Sequence, residues 1–103
     1  MTLRDIHEFQ IEFLQGLADK TRMKIVESLM EDEKTVTQLV NELQCSQANI
    51  SGHLRTLKQS GILKSRQQGK CVFYSLQDPA IVEFLKYMKD MLILLRHKAL
   101  EGV

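Results

Sequence analysis

Apolar residues along this chain fall first at helical spacing, then at strand spacing, then at helical spacing again. Ile6, Phe9, Phe13 and Leu17, with Ile11 and Leu14 beside them, predict a first helix that ends near Gly16 or soon after. Asp19 is a plausible N-cap for a second helix, in which Ile25, Val26, Leu29 and Met30 form the apolar stripe. The run Glu31-Asp32-Glu33 suits its exposed end or the loop that follows. Thr35 and Val36 read as a short strand, and Thr37 as the cap of a third helix with Leu39, Val40 and Leu43 inward. Gln44-Cys45 breaks the pattern. Ser46 then caps a fourth helix with Ile50, Leu54 and Leu57 on one face, and Gly61 suits its left-handed C-cap.

The period next shortens to two. Ile62 to Arg66 and Cys71 to Leu76 read as strands joined by Gln67-Gln68-Gly69-Lys70, where Gly69 is free to take positive φ. Alternation puts Val72 and Tyr74 on one side of this hairpin and Cys71 and Phe73 on the other. Asp78-Pro79 starts a last helix, with Asp as cap and Pro at the first helical position. Its seam is Ile81, Leu85, Met88, Leu92 and Leu95, close to a heptad. Val82, Phe84, Met91 and Leu94 add more apolar surface than one face of a terminal helix can bury. The elements predict a mainly α (α+β) fold: a winged helix-turn-helix of five helices and a two-stranded β-hairpin wing, with residues 1–103 as one domain.

Charge sharpens this picture. The net charge is only +1, but it is sorted. From Ser46 to Gln77 there is no Asp or Glu, and there are five cations: Arg55, Lys58, Lys64, Arg66 and Lys70. Before Ser46, five basic residues face nine acidic ones; after Gln77 the charges cancel. A positive face on a small helical domain is the footprint of a nucleic-acid binder. Other classes recede. No nucleophile–base pair, Gly-rich phosphate loop or carboxylate pair stands at a usable spacing, so no enzyme is expected. Cys45 and Cys71 form neither a disulfide framework nor a zinc-ribbon spacing. Met1 to Gln10 carries no leader-like apolar run, and no stretch approaches the roughly 20 apolar residues that span a bilayer. A cytoplasmic protein with reduced thiols and no cofactor is the simplest expectation.

The third and fourth helices match a DNA-reading pair. Leu39, Val40 and Leu43 against Ile50 and Leu54 fix the angle between them. The second helix then offers short polar side chains at the end that enters the major groove: Ser46, Gln47, Asn49, Ser51 and His53. Gln and Asn can bond adenine through two hydrogen bonds. Arg55 and Lys58 can reach phosphates, and Arg66 and Lys70 flank the hairpin turn where a wing would touch the duplex. His53 has an alternative, a hydrogen bond inside the fold. Lys64 has one too, as a solvated strand residue.

The stretches LADKTRMKIVESL, SQANISGHLRTLKQSGIL and QGKCVFYSLQD resemble the arsenic-repressor (ArsR/SmtB-type) family of transcription factors, from about Leu14 to Asp78. Ala18, Asp19, Thr21 and Arg22 resemble the opening of that family's second helix. Ser46, Gln47, Ser51, His53 and Leu54 resemble its recognition helix. The resemblance implies a homodimeric winged-helix repressor on an inverted-repeat operator, released by an inducer, with its first and last helices as the dimer interface. Phe9, Phe13, Leu85, Met88, Met91, Leu92 and Leu95 are the residues expected there. A monomer would leave a large apolar patch on the last helix, which soluble monomers rarely tolerate.

The family's metal sites are not matched. Thr35, Val36 and Thr37 stand where one group has two cysteines around a valine. Of another group's ligands on the last helix only Asp78 remains; Ala80, Met91 and Leu94 fill the other positions. A thioether and two aliphatic side chains do not suit a borderline metal, so none is expected. His97 and Glu101 could pair across a dimer or form a solvated tail. The remaining soft chemistry is Cys45 and Cys71, a possible thiol-based sensor of oxidants or reactive sulfur. Against it stands Cys45 as a small buried residue and Cys71 as a chance residue of the wing. The competing function is a winged-helix domain that contacts protein and has no DNA affinity of its own.

Overall fold

Five helices and one antiparallel hairpin form in the predicted order: α1 Ile6–Leu17, α2 Lys20–Ser28, α3 Val36–Leu43, α4 Gln47–Gln59, β1 Leu63–Gln68, β2 Cys71–Leu76 and α5 Ala80–Glu101. The computed structural model describes residues 5–102. Residues 1–4 and 103 lie outside it, and with them part of the segment read above for a leader.

Local chemistry sets the boundaries. The Asp19 side chain accepts from the Arg22 N–H at 3.0 Å, and Ser46 Oγ accepts from the Asn49 N–H at 3.1 Å, so both predicted caps form. At α5, Pro79 already has helical angles (φ −56°, ψ −25°), and Asp78 Oδ1 accepts from the Ala80 N–H at 2.8 Å. Gly61 takes φ +81°, with the Phe9 ring packed against its Cα; a Cβ there would meet that ring at 2.8 Å.

Three expectations are corrected. The cap of α3 is Thr35, two residues before Thr37. Thr35 and Gln38 close a capping box, so Val36 begins the helix and no strand forms at residues 35–36. The strand signal belongs to Lys34, which makes a single bridge with Tyr74 through two backbone hydrogen bonds of 3.0 and 2.8 Å. The hairpin is longer and its turn tighter than expected. Gln68 pairs with Cys71, leaving Gly69-Lys70 as a two-residue turn with Gly69 at φ +62°. Ile62 instead lies wholly enclosed before β1.

The core sits where α2, α3 and α4 meet the base of the hairpin. Ile25, Val26, Leu39, Ile50, Leu57 and Ile62 are fully enclosed. Each contributes about 1.5–3 kcal/mol by leaving water. α4 runs through the centre and packs on α1, α2, α3 and β1. Its inner face is therefore rigid, and its outer face is held out to solvent.

Candidate nucleic-acid interface

The helix-turn-helix is α3, a three-residue turn and α4. Its sharp point is Gln44, the only non-glycine among the described residues with positive φ (58°). The Gln44 N–H donates to Val40 O at 2.9 Å, and its side-chain amide donates to Asn41 O at 2.7 Å. These bonds hold a left-handed conformation that glycine would adopt more cheaply. With Ile50, Leu54 and Leu57 packed inward, α4 presents Gln47, Asn49 and Arg55 to solvent, all exposed. The first-turn N–H groups that the Ser46 cap leaves free point along the axis, out of the N-terminal end of α4.

Gly52 lies two residues from both Ile50 and Leu54, opposite the core and mid-way along this outer face. Nothing lies within 4 Å of a Cβ added there. Sequence reasoning passed over Gly52, although a glycine inside a helical pattern is itself a signal. It lowers helix stability by about 0.5–1 kcal/mol relative to Ala and fills no packing role.

Behind α4, one side chain ties the framework together. Arg22 donates through Nε to Gly16 O (2.7 Å), through Nη2 to Gln15 O (3.3 Å) and through Nη1 to His53 Nδ1 (3.3 Å). A guanidinium only donates, so Nδ1 accepts and the ring proton of neutral His53 sits on Nε2, turned toward Asp19 Oδ2 at 3.9 Å. The Arg22 backbone N–H holds the Asp19 carboxyl below its usual range, and the charge of Arg22 adds to this. The ring of His53 is therefore committed inside the fold, joining α1, α2 and α4, the alternative named for it above. Ser46 uses an oxygen lone pair for capping, and Ser51 is half-buried.

The wing is anchored at its base by the Lys34–Tyr74 bridge. Lys34 Nζ adds bonds to Ser28 Oγ (2.7 Å) and Glu42 Oε1 (2.6 Å), and Lys58 Nζ donates to Ser65 Oγ (2.7 Å). Lys70 stands exposed at the turn. Arg66 does not stand free: it meets both carboxylate oxygens of Glu33, donates to Gln68 Oε1 at 2.7 Å and lies 4.8 Å over the Phe73 ring. Among the described residues it is the only cation of the acid-free stretch that meets a carboxylate.

A second surface lies on α1 and α5. Leu85, expected between subunits, is 3% exposed and belongs to the protomer's own core, because α5 lies against the body up to that point. Met88 is half-buried. Phe84, Met91, Leu92, Ile93, Leu94 and Leu95 are exposed, and Leu92 is 56% exposed. An open groove of about 680 Å³ separates this part of α5 from Met23 and Met30. The Phe13 and Phe84 rings meet edge to face at 5.9 Å, so the apolar surface runs on to Phe9 and Leu14 of α1. His97 and Glu101 pair with each other along α5 at 3.0 Å.

Cys45 is half-buried at the edge of the core, its Sγ 3.5 Å from Leu43 O, and Cys71 is exposed at the start of β2. Thr35 is spent on its capping box, and Thr37 is exposed. No helix among the described residues is long and apolar enough to cross a membrane.

Comparison with known proteins agrees with this geometry. The family described as "Bacterial regulatory protein, arsR family" matches residues 19–65. An uncharacterised HTH-type transcriptional regulator of Methanocaldococcus jannaschii is 33% identical over 86 residues, 82% of this chain and 97% of its own length. A homologue of the cadmium resistance transcriptional regulatory protein CadC from Staphylococcus aureus is 41% identical over 73 residues, 70% of this chain and 60% of its own length. The crystal structure of Rv0081 from M. tuberculosis superimposes with a TM-score of 0.83 at 25% identity, covering 95% of this chain and 99% of that one. This chain belongs to the arsR family of regulatory proteins.

Proposed function

We propose that this protein is a DNA-binding transcriptional regulator that acts as a homodimeric repressor on an inverted-repeat operator. The observation that carries the reading is the outer face of α4: exposed, free of acid, capped by Ser46, and flanked by the cations of the hairpin. The N-terminal half of α4 enters the major groove, where Gln47 and Asn49 meet base edges, with Ser46 and Ser51 beside them. Arg55, Lys58 and Lys70 meet phosphates and place the helix without reading sequence. A wing used only to dock protein needs no acid-free face, so the charge sorting favours DNA. The dimer uses the apolar stripe of α5 (half-buried Met88 with exposed Met91, Leu92 and Leu95) together with Phe9 and Phe13 of α1.

Two predictions follow from this division of labour. Asn49→Ala costs about 1–3 kcal/mol of operator affinity and blurs the preferred sequence, whereas Lys70→Ala weakens binding to every duplex and flattens the salt dependence. Fluorescence anisotropy on operator and random duplexes, across a salt series, reads both. Equal loss from the two variants on both duplexes would contradict the assignment. Gly52→Ala separates stability from binding. It raises unfolding free energy by about 0.5–1 kcal/mol in urea, because the added methyl meets nothing. It also lowers DNA affinity, because that methyl stands mid-way along the face that meets the duplex. A variant that is stabilised and binds DNA as wild type would remove Gly52 from the interface.

A further inference from the structure

We propose that Glu33 withholds Arg66 from DNA, so that this one carboxylate sets the strength with which the wing grips the phosphate backbone. The inference rests on the DNA-binding reading above.

A guanidinium holds a carboxylate and a phosphate in the same way, by two parallel N–H···O bonds. Glu33 already takes that fork: Arg66 Nε donates to Oε2 at 2.8 Å and Nη2 donates to Oε1. The third nitrogen, Nη1, donates to Gln68 Oε1, and the Phe73 ring covers one face of the group. Arg66 therefore lies on the wing but presents a neutral pair to an approaching duplex. To bind a phosphate it must exchange one anion for another, and the displaced Glu33 then repels the backbone it has made room for. Lys70, two residues beyond Gln68, is exposed and meets no carboxylate among the described residues.

The geometry also separates this role from a structural one. Glu33 is half-exposed and precedes Lys34, whose backbone bridge to Tyr74 fixes the base of the wing. Those backbone bonds do not need the Glu33 side chain, so removing its charge frees Arg66 without releasing the hairpin. Neighbouring Glu31 is exposed and meets no cation among the described residues, so it serves as a control for net charge.

The test is the slope of log affinity against log salt on a short random-sequence duplex, for wild type, Glu33→Gln, Glu31→Gln, Arg66→Gln and the double variant Glu33→Gln/Arg66→Gln. Glu33→Gln is expected to bind several-fold tighter at low salt, with the slope steeper by about 0.9 for each protomer that contacts DNA. Arg66→Gln alone leaves the wild-type slope unchanged, and the double variant loses the gain. Three results would overturn the inference: an unchanged slope in Glu33→Gln, an equal gain in Glu31→Gln, or a gain that persists in the double variant. Weaker binding by Glu33→Gln would also overturn it, since that is what a merely bracing contact predicts. Wild type that fails to bind duplex DNA at low salt defeats the functional reading itself; wild type with an ordinary salt slope beside an unresponsive Glu33→Gln defeats this inference alone.

Discussion

Leu92→Asp is expected to split the protein into monomers and to abolish operator binding, while leaving each protomer folded. Leu92 is more than half exposed on the protomer, so a carboxylate there costs the isolated chain little. Between subunits the cost counts twice, because a two-fold interface carries both copies of each residue. Losing two buried leucines removes about 3–6 kcal/mol, roughly two to four decades in dimer dissociation constant. Two desolvated carboxylates add to this. Operator binding falls with the dimer, because each half-site then contributes alone. Sedimentation velocity at micromolar concentration reads the assembly, and circular dichroism reads the fold. A wild-type monomer, or a Leu92→Asp dimer, would place the interface elsewhere.

Arg22→Ala is expected to be the most damaging single change outside the hydrophobic core. It removes three hydrogen bonds at once and strips the Gly16 carbonyl, in a buried residue, of its side-chain donor. A cost of about 2–3 kcal/mol follows, since bonds to charged groups are the strong ones and an abandoned buried acceptor is costly. DNA affinity falls alike for all sequences, because His53 loses the contact that joins α4 to α1 and α2. Arg22→Lys does not restore it: an ammonium cannot span two carbonyls of α1 and the His53 ring of α4 together. Urea denaturation that left either variant as stable as wild type would contradict this role.

Much of the architecture was legible because local rules agreed. Asp19 and Ser46 cap as their positions imply, Gly61 and Gly69 take the positive φ their places require, and the hairpin follows the change of period. At α3 the true cap was legible as well. Thr35 and Gln38 stand in the capping-box spacing, a stronger signal than Thr37 alone. Leu85 was harder. Its seam on α5 is continuous in sequence, and only the packed body shows where the helix stops covering the protomer and begins to face outward. The pairs Arg22–His53 and Glu33–Arg66 join residues 31 and 33 positions apart. No periodicity carries that information. The acid-free stretch marked the right face but overcounted its available charge, because the acid that meets Arg66 comes from the α2–α3 connection. Gly52 neither packs nor turns, so only its place inside a helical pattern marks it.

If α4 reads DNA from a dimer, the protein selects paired half-sites. The most direct measurement is to mix the purified protein with fragmented genomic DNA, wash at moderate salt and sequence what is retained. An enriched inverted repeat is expected, its half-sites about 10–10.5 base pairs apart, or a multiple of that, centre to centre. The enrichment is expected to disappear with Leu92→Asp. Retained fragments with no shared motif, or a motif that Leu92→Asp still selects, would contradict it.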